Sequence, residues 1–129
     1  MKKKFMAACV IFMLMGSMEC MASTSNFHKV LVDSNSYGEV TAATKSVSGT
    51  TTGVLELDAI YDANGNASSI SKVYAKTSYS ASGVVARKGR STNLTIYPGM
   101  LERGDRVRLL MEGYNTSYDC RVSGYWNAD

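Results

Sequence analysis

"GVLELDAIYDANGNASSISKVYAKTSY", residues 53–79, is the stretch on which the fold assignment turns. Its apolar residues alternate: Leu55, Leu57, Ala59 and Tyr61 fall on one side of an extended chain, with Glu56 and Asp58 on the other. A period of two is the mark of a strand with one face buried. "DANGN" follows, and Asn64-Gly65 favours a tight turn because both residues tolerate positive φ. Beyond the turn, Val73, Ala75 and Thr77 share one side, with Lys72, Tyr74 and Lys76 opposite. The pattern predicts a β-hairpin.

Outward from this unit, the same composition of Ser, Thr, Tyr, Val and Gly continues with no helical period. "FHKVLVD", "YGEVTAATKSV", "GVVAR" and "TNLTIYP" read as short strands, and Pro98-Gly99 in "YPGM" reads as a turn. "RVRLLME" (106–112) and "SYDCRVSGYW" (117–126) read as the last two strands, joined through the polar "GYNTS". Paired with each other, they bury Val107, Leu109 and Met111 beside Tyr118, Cys120 and Val122. About seven or eight strands result, and the expected fold is all-β. It is a small two-sheet antiparallel β-sandwich, immunoglobulin-like in general architecture, with an open β-barrel as the alternative.

The N-terminus reads differently. MKKKF is followed by the apolar run MAACVIFMLM, then Gly16 and Ser17. This is the layout of a secretory signal peptide, and the run is too short to span a bilayer. Cleavage is expected between Ala22 and Ser23, giving a leader of residues 1–22 and one domain of residues 23–129. Lipidation at Cys20 is disfavoured by the charged Glu19 before it. The chain has 14 Lys and Arg against 11 Asp and Glu. Losing Lys2, Lys3, Lys4 and Glu19 lowers the net charge from +3 to +1. Nucleic-acid binding therefore lacks the positive field it needs. Cys120 is the one cysteine left after cleavage, and its alternation with Tyr118 and Val122 marks it as a small buried side chain.

Catalytic chemistry is hard to assemble, and the chain is not expected to be an enzyme. His28 is the single histidine, and it sits in "NFHKVLV", without a supporting motif. Neither His28 with Cys120 nor Glu56 with Asp58 makes a credible pair. One His and one Cys give no zinc cluster. Asp62, Asn64 and Asn66 open like a calcium loop, but Ala67 and Val73 stand where such a loop needs Gly and Glu. No metal or cofactor is expected. The tripeptide Arg103-Gly104-Asp105 suits a solvated turn, and the sequons at Asn66, Asn93 and Asn115 are expected by chance in a Ser/Thr-rich chain. "ARKGR" (86–90) reads as a solvated basic tip.

The most specific constellation is Arg106, Arg108, Arg121 and Tyr125, which the assumed pairing of the last two strands places on one outward face. Arginines on adjacent strands repel unless an acid or an anionic ligand lies between them. Together they suggest a site for an anionic glycan or an acidic protein patch. The functional expectation is a small secreted bacterial binding protein, extracellular or associated with a cell surface. Its partner would be an extracellular protein or glycan, with no nucleic acid and no stable membrane span after processing. The alternatives are a subunit of an extracellular β-rich assembly, self-associating through edge strands, and a secreted antibacterial or toxin-like protein.

Overall fold

The structure is a computed structural model, and it describes residues 23–46, 48, 51–96, 102–114 and 118–129. The leader, its cleavage point, the Pro98-Gly99 turn and the sequon at Asn115 lie outside the described residues. Among the described residues are eight strands: β1 (Thr24–Val32), β2 (Gly38–Thr44), β3 (Thr52–Asp62), β4 (Lys72–Thr77), β5 (Val84–Arg87), β6 (Arg90–Thr95), β7 (Arg106–Gly113) and β8 (Cys120–Asn127). They form two four-stranded antiparallel sheets, with order β1-β8-β3-β6 in sheet A and β2-β7-β4-β5 in sheet B. The fold is a β-sandwich, not a closed barrel.

The pairings are nested. β4 pairs with β5, β3 with β6, β2 with β7 and β1 with β8. This is one long antiparallel ribbon rolled into two layers, the jelly-roll arrangement. An immunoglobulin domain instead places its first, second, fourth and fifth strands in one sheet. The expected two-sheet architecture stands, while the strand order differs from the immunoglobulin one.

Two expected pairings are corrected. β3 and β4 do not form a hairpin, because they belong to different sheets. The Asn64-Gly65 turn does form: Gly65 has φ of 86°, and its amide donates to the Asp62 carbonyl. It supports only one bridge, Tyr61 to Ala67, before residues 68–71 cross to sheet B. β6 flanks the first half of β3, from Thr52 to Leu57, and β8 occupies its other side. Among the described residues, only that single bridge pairs with the second half of β3 on the side away from β8. β7 and β8 likewise lie in opposite sheets, each central in its own.

Burial follows the alternation except at Tyr118, which precedes β8 and is 76% exposed rather than buried beside Cys120, and at a phase slip in β3. Val73, Ala75 and Thr77 face inward, as do Val107, Leu109 and Met111, and Cys120, Val122 and Trp126. In β3 the register shifts between Leu57 and Ala59. This bulge moves the inward phase from Ala59 to Ile60 and sends Tyr61 outward, under the Lys29 ammonium at 4.7 Å from its ring centroid. An extra residue in a strand has this effect on parity. A second bulge lies in β1 between Phe27 and Val30, with Lys29 at φ 50°. Both bulges face Ser123-Gly124 of β8. Gly124 has no room for a Cβ, which would fall on the Glu56 carbonyl and the Phe27 ring.

The four sheet edges each carry a feature that discourages further strand pairing. β1 and β2 are bulged, β5 has four residues, and β6 shows an almost wholly polar sequence, RSTNLT. Such devices protect edges from edge-to-edge addition.

Candidate ligand-binding surface

Strand alternation turns Arg106, Arg108, Leu110 and Glu112 of β7 toward the outside of sheet B, beside Lys72, Tyr74 and Lys76 of β4. Cross-strand neighbours place Tyr74 opposite Glu112 and Lys76 opposite Leu110. Tyr37, just before β2, lays its ring across this face. The Lys76 ammonium sits 4.5 Å from its centroid, and its hydroxyl end reaches Gly83, where a Cβ would collide with it. At the far end of β7, Tyr114 stacks tilted on Tyr74 at 4.8 Å and receives the Lys72 ammonium at 4.6 Å. Three tyrosines and two lysines thus interleave on one surface. Cation–π contacts of this kind hold the long lysine stems in place.

Arg106 and Arg108 continue the surface. Both reach Glu39 of β2, at 3.3 Å and 3.8 Å. Their side chains are 65% and 50% exposed, so these pairs are weak and leave guanidinium donors facing solvent. The face carries Lys72, Lys76, Arg106 and Arg108 against Glu39 and Glu112, a net positive charge. Burial first, then the nearby Glu112 and Tyr74, raises the Tyr37 hydroxyl above its ordinary range, so it remains a neutral donor.

The other two expected site residues stand elsewhere. Arg121 and Tyr125 project from the outer face of sheet A, across the sandwich from Arg106 and Arg108. The reason is the corrected pairing: β7 and β8 belong to different sheets. Arg121 is tied up internally, since its Nε donates to the Ala63 carbonyl at 2.7 Å and its Nη1 to the Lys29 carbonyl at 3.0 Å. It joins the β1 bulge to the turn after β3. Tyr125 lies between Asn26 and Glu56 of the neighbouring strands.

The remaining candidates are dispersed. His28 is exposed, with Nδ1 3.4 Å from the Ser123 hydroxyl, and is not brought to Cys120. Glu56 and Asp58 are both exposed. Among the described residues no three His, Cys, Asp or Glu side chains gather as a metal site. Arg103-Gly104-Asp105 forms a turn in which the Asp105 carboxylate accepts the Glu102 amide and the Gly104 amide donates to the Lys45 carbonyl. Cys120 faces inward and is fully buried. Burial first, and then the charge of Asp119, pushes its thiol up to about 11. Near-neutral labelling with a disulfide reagent should therefore be slow in the folded protein and fast in urea; fast labelling of the folded state would place the thiol outside the core.

Lys45 was not anticipated. Its side chain is 0% exposed, donating to the Ala128 carbonyl at 2.9 Å and pairing with Asp129 at 3.3 Å. Thr41, Ala43 and Lys45 share a parity in and just beyond β2, and that period is the signal that would have marked it. Compared with protein-family models, with curated proteins and with solved structures, the chain matches none.

Proposed function

We propose that the chain is a secreted, non-enzymatic binding protein that holds an acidic polymer, such as an anionic cell-surface glycan, on the outer face of sheet B. In this reading residues 1–22 are the leader, removed between Ala22 and Ser23. The observation that carries it is the interleaving of Tyr37, Tyr74 and Tyr114 with Lys72 and Lys76, flanked by the exposed Arg106 and Arg108. Tyrosine rings offer flat area at small entropic cost, and arginine forks match carboxylate or sulfate groups. A flat cationic face suits an extended ligand better than a small one. The bulged, short or polar edges favour this reading over a self-assembling subunit.

The test is titration of residues 23–129 with polygalacturonate and with heparin at several salt concentrations. Binding should weaken steeply with salt. The quadruple variant Lys72→Gln, Lys76→Gln, Arg106→Gln, Arg108→Gln should bind at least about tenfold more weakly with a shallower salt slope. Tyr125→Ala, on sheet A, should leave binding unchanged. Loss of binding in Tyr125→Ala with the quadruple variant unaffected would move the site to the face that carries Arg121 and overturn the assignment.

A further inference from the structure

A second surface differs from the first in both charge and shape. At one end of the sandwich, the β3–β4 connection meets Tyr118 and Asp119 before β8, leaving an open cleft of about 380 Å³. Its lining includes Asp62, Asn64, Ser68, Ile70 and the pair Tyr118-Asp119. The volume is at the small end for ligand pockets.

Both carboxylates are fixed through one oxygen. Asp62 Oδ1 accepts the amides of Asn64 and Asn66, each at 2.9 Å. Asp119 Oδ1 accepts the Ser34 amide at 3.0 Å. An ionised carboxylate accepts through both of its oxygens, so each keeps a second oxygen with capacity for a ligand. The Ser68 hydroxyl oxygen accepts the Ile70 amide at 3.1 Å, which leaves its proton to donate. Tyr118 stands at the rim with 76% of its surface exposed, an unusual degree for so large a ring. The nearby cations face elsewhere: Lys29 covers Tyr61, and Arg121 holds backbone carbonyls. Neither is in the lining.

We propose that this cleft is a binding site for a neutral, hydroxyl-rich ring, a saccharide of one or two units. Two pre-positioned carboxylates accept hydroxyl protons without any rearrangement. The Asn64 amide and the serine hydroxyls supply donors and acceptors around them. Tyr118 and Ile70 provide the apolar contact that the C–H face of a sugar ring needs. The two carboxylates repel acidic sugars, so the cleft selects against the class of ligand assigned to sheet B. The two sites are independent, and each survives the failure of the other.

The test is a titration of ¹⁵N-labelled residues 23–129 with the methyl glycosides of glucose, galactose and mannose, with glucosamine and glucuronate as charged controls. At least one neutral glycoside should shift the amides of Asn64, Ser68, Ser69 and Asp119 saturably, at millimolar affinity. Tyr118→Ala should weaken that binding about tenfold while leaving polygalacturonate binding unchanged. Asp119→Asn can keep an oxygen for the Ser34 amide while replacing the other carboxylate oxygen with an NH2 group. It should also weaken binding, with the melting temperature preserved. No saturable shift with any neutral glycoside, binding of glucosamine or glucuronate alone, or binding abolished by a calcium chelator would each overturn the proposal.

Discussion

Replacing Trp126 with alanine is expected to leave the protein largely unfolded. The indole is fully buried between the sheets, and Gly53 lies against its ring with no room for a Cβ. Its Nε1 crosses the sandwich to donate to the Val107 carbonyl at 3.3 Å. Truncating a buried tryptophan costs about 3–5 kcal/mol, and the orphaned carbonyl adds to that. Domains of this length have total stabilities toward the lower part of about 5–15 kcal/mol, so most of the margin is lost. Trp126→Phe keeps most of the apolar contact and loses only the bridge, with an expected loss of about 1–2 kcal/mol. Urea unfolding followed by far-ultraviolet circular dichroism measures both, since the single Trp of the chain is itself removed. A Trp126→Ala loss below about 1 kcal/mol would show that the sheets close without this bridge.

The second large effect concerns Lys45 and Asp129. Lys45 is fully enclosed, while the Asp129 side chain keeps 18% exposure. Breaking a buried pair is expensive for the ion left behind. Asp129→Ala removes the Asp129 counter-charge from a fully enclosed ammonium, and should cost about 3–5 kcal/mol. Lys45→Met leaves a carboxylate that still accepts from the Ser46 amide and hydroxyl and still touches water. Its loss should be smaller, about 1–2 kcal/mol. The double variant should therefore be more stable than Asp129→Ala alone, a non-additivity that equilibrium unfolding measures directly. If the two losses simply add, Lys45 and Asp129 do not act as a pair.

Acid provides an independent reading of the same contact. Burial alone would raise the Asp129 carboxyl, but the Ser46 hydroxyl and amide and then Lys45 outweigh it, and the net shift is downward. A depressed folded value means that the stabilisation is complete above the ordinary carboxylate range, near about 4. It disappears as pH falls through the lower folded value. Wild-type stability should decline across that acidic window by more than that of the Lys45→Met, Asp129→Ala double variant.

Periodicity made the strands legible, and it made their partners ambiguous. Val73, Ala75 and Thr77, or Cys120 and Val122, can be placed on a buried face from alternation alone, because the side-chain period of a strand is fixed by backbone geometry. Alternation says nothing about which strand lies alongside. The Asn64-Gly65 turn forms, yet the chain crosses to the other sheet within a few residues, and the β7–β8 connection crosses as well. The grouping of Arg106 and Arg108 with Arg121 and Tyr125 rested on that pairing and separates without it. Bulges were invisible for a related reason. The extra residue at Asp58 changes no composition; it shifts only the phase of the residues after it, and so moves Tyr61 outward. Arg121 satisfies distant carbonyls, and the tyrosine–lysine surface assembles from the lead-in to β2, from β4 and from the end of β7. These are long-range arrangements, which no local window encodes.

The nested pairing sets an order of events. β4 and β5 are separated by six residues, whereas β1 must find β8 at the other end of the chain. Contacts of such wide sequence separation slow folding, because loop closure precedes any gain from them. β8 is also the strand that holds β1 to β3 in sheet A. During synthesis, then, sheet A cannot close until β8 has emerged. Until β8 arrives, sheet B and the β3–β6 pair can form, but β1 has no neighbour in sheet A and remains an unpaired segment.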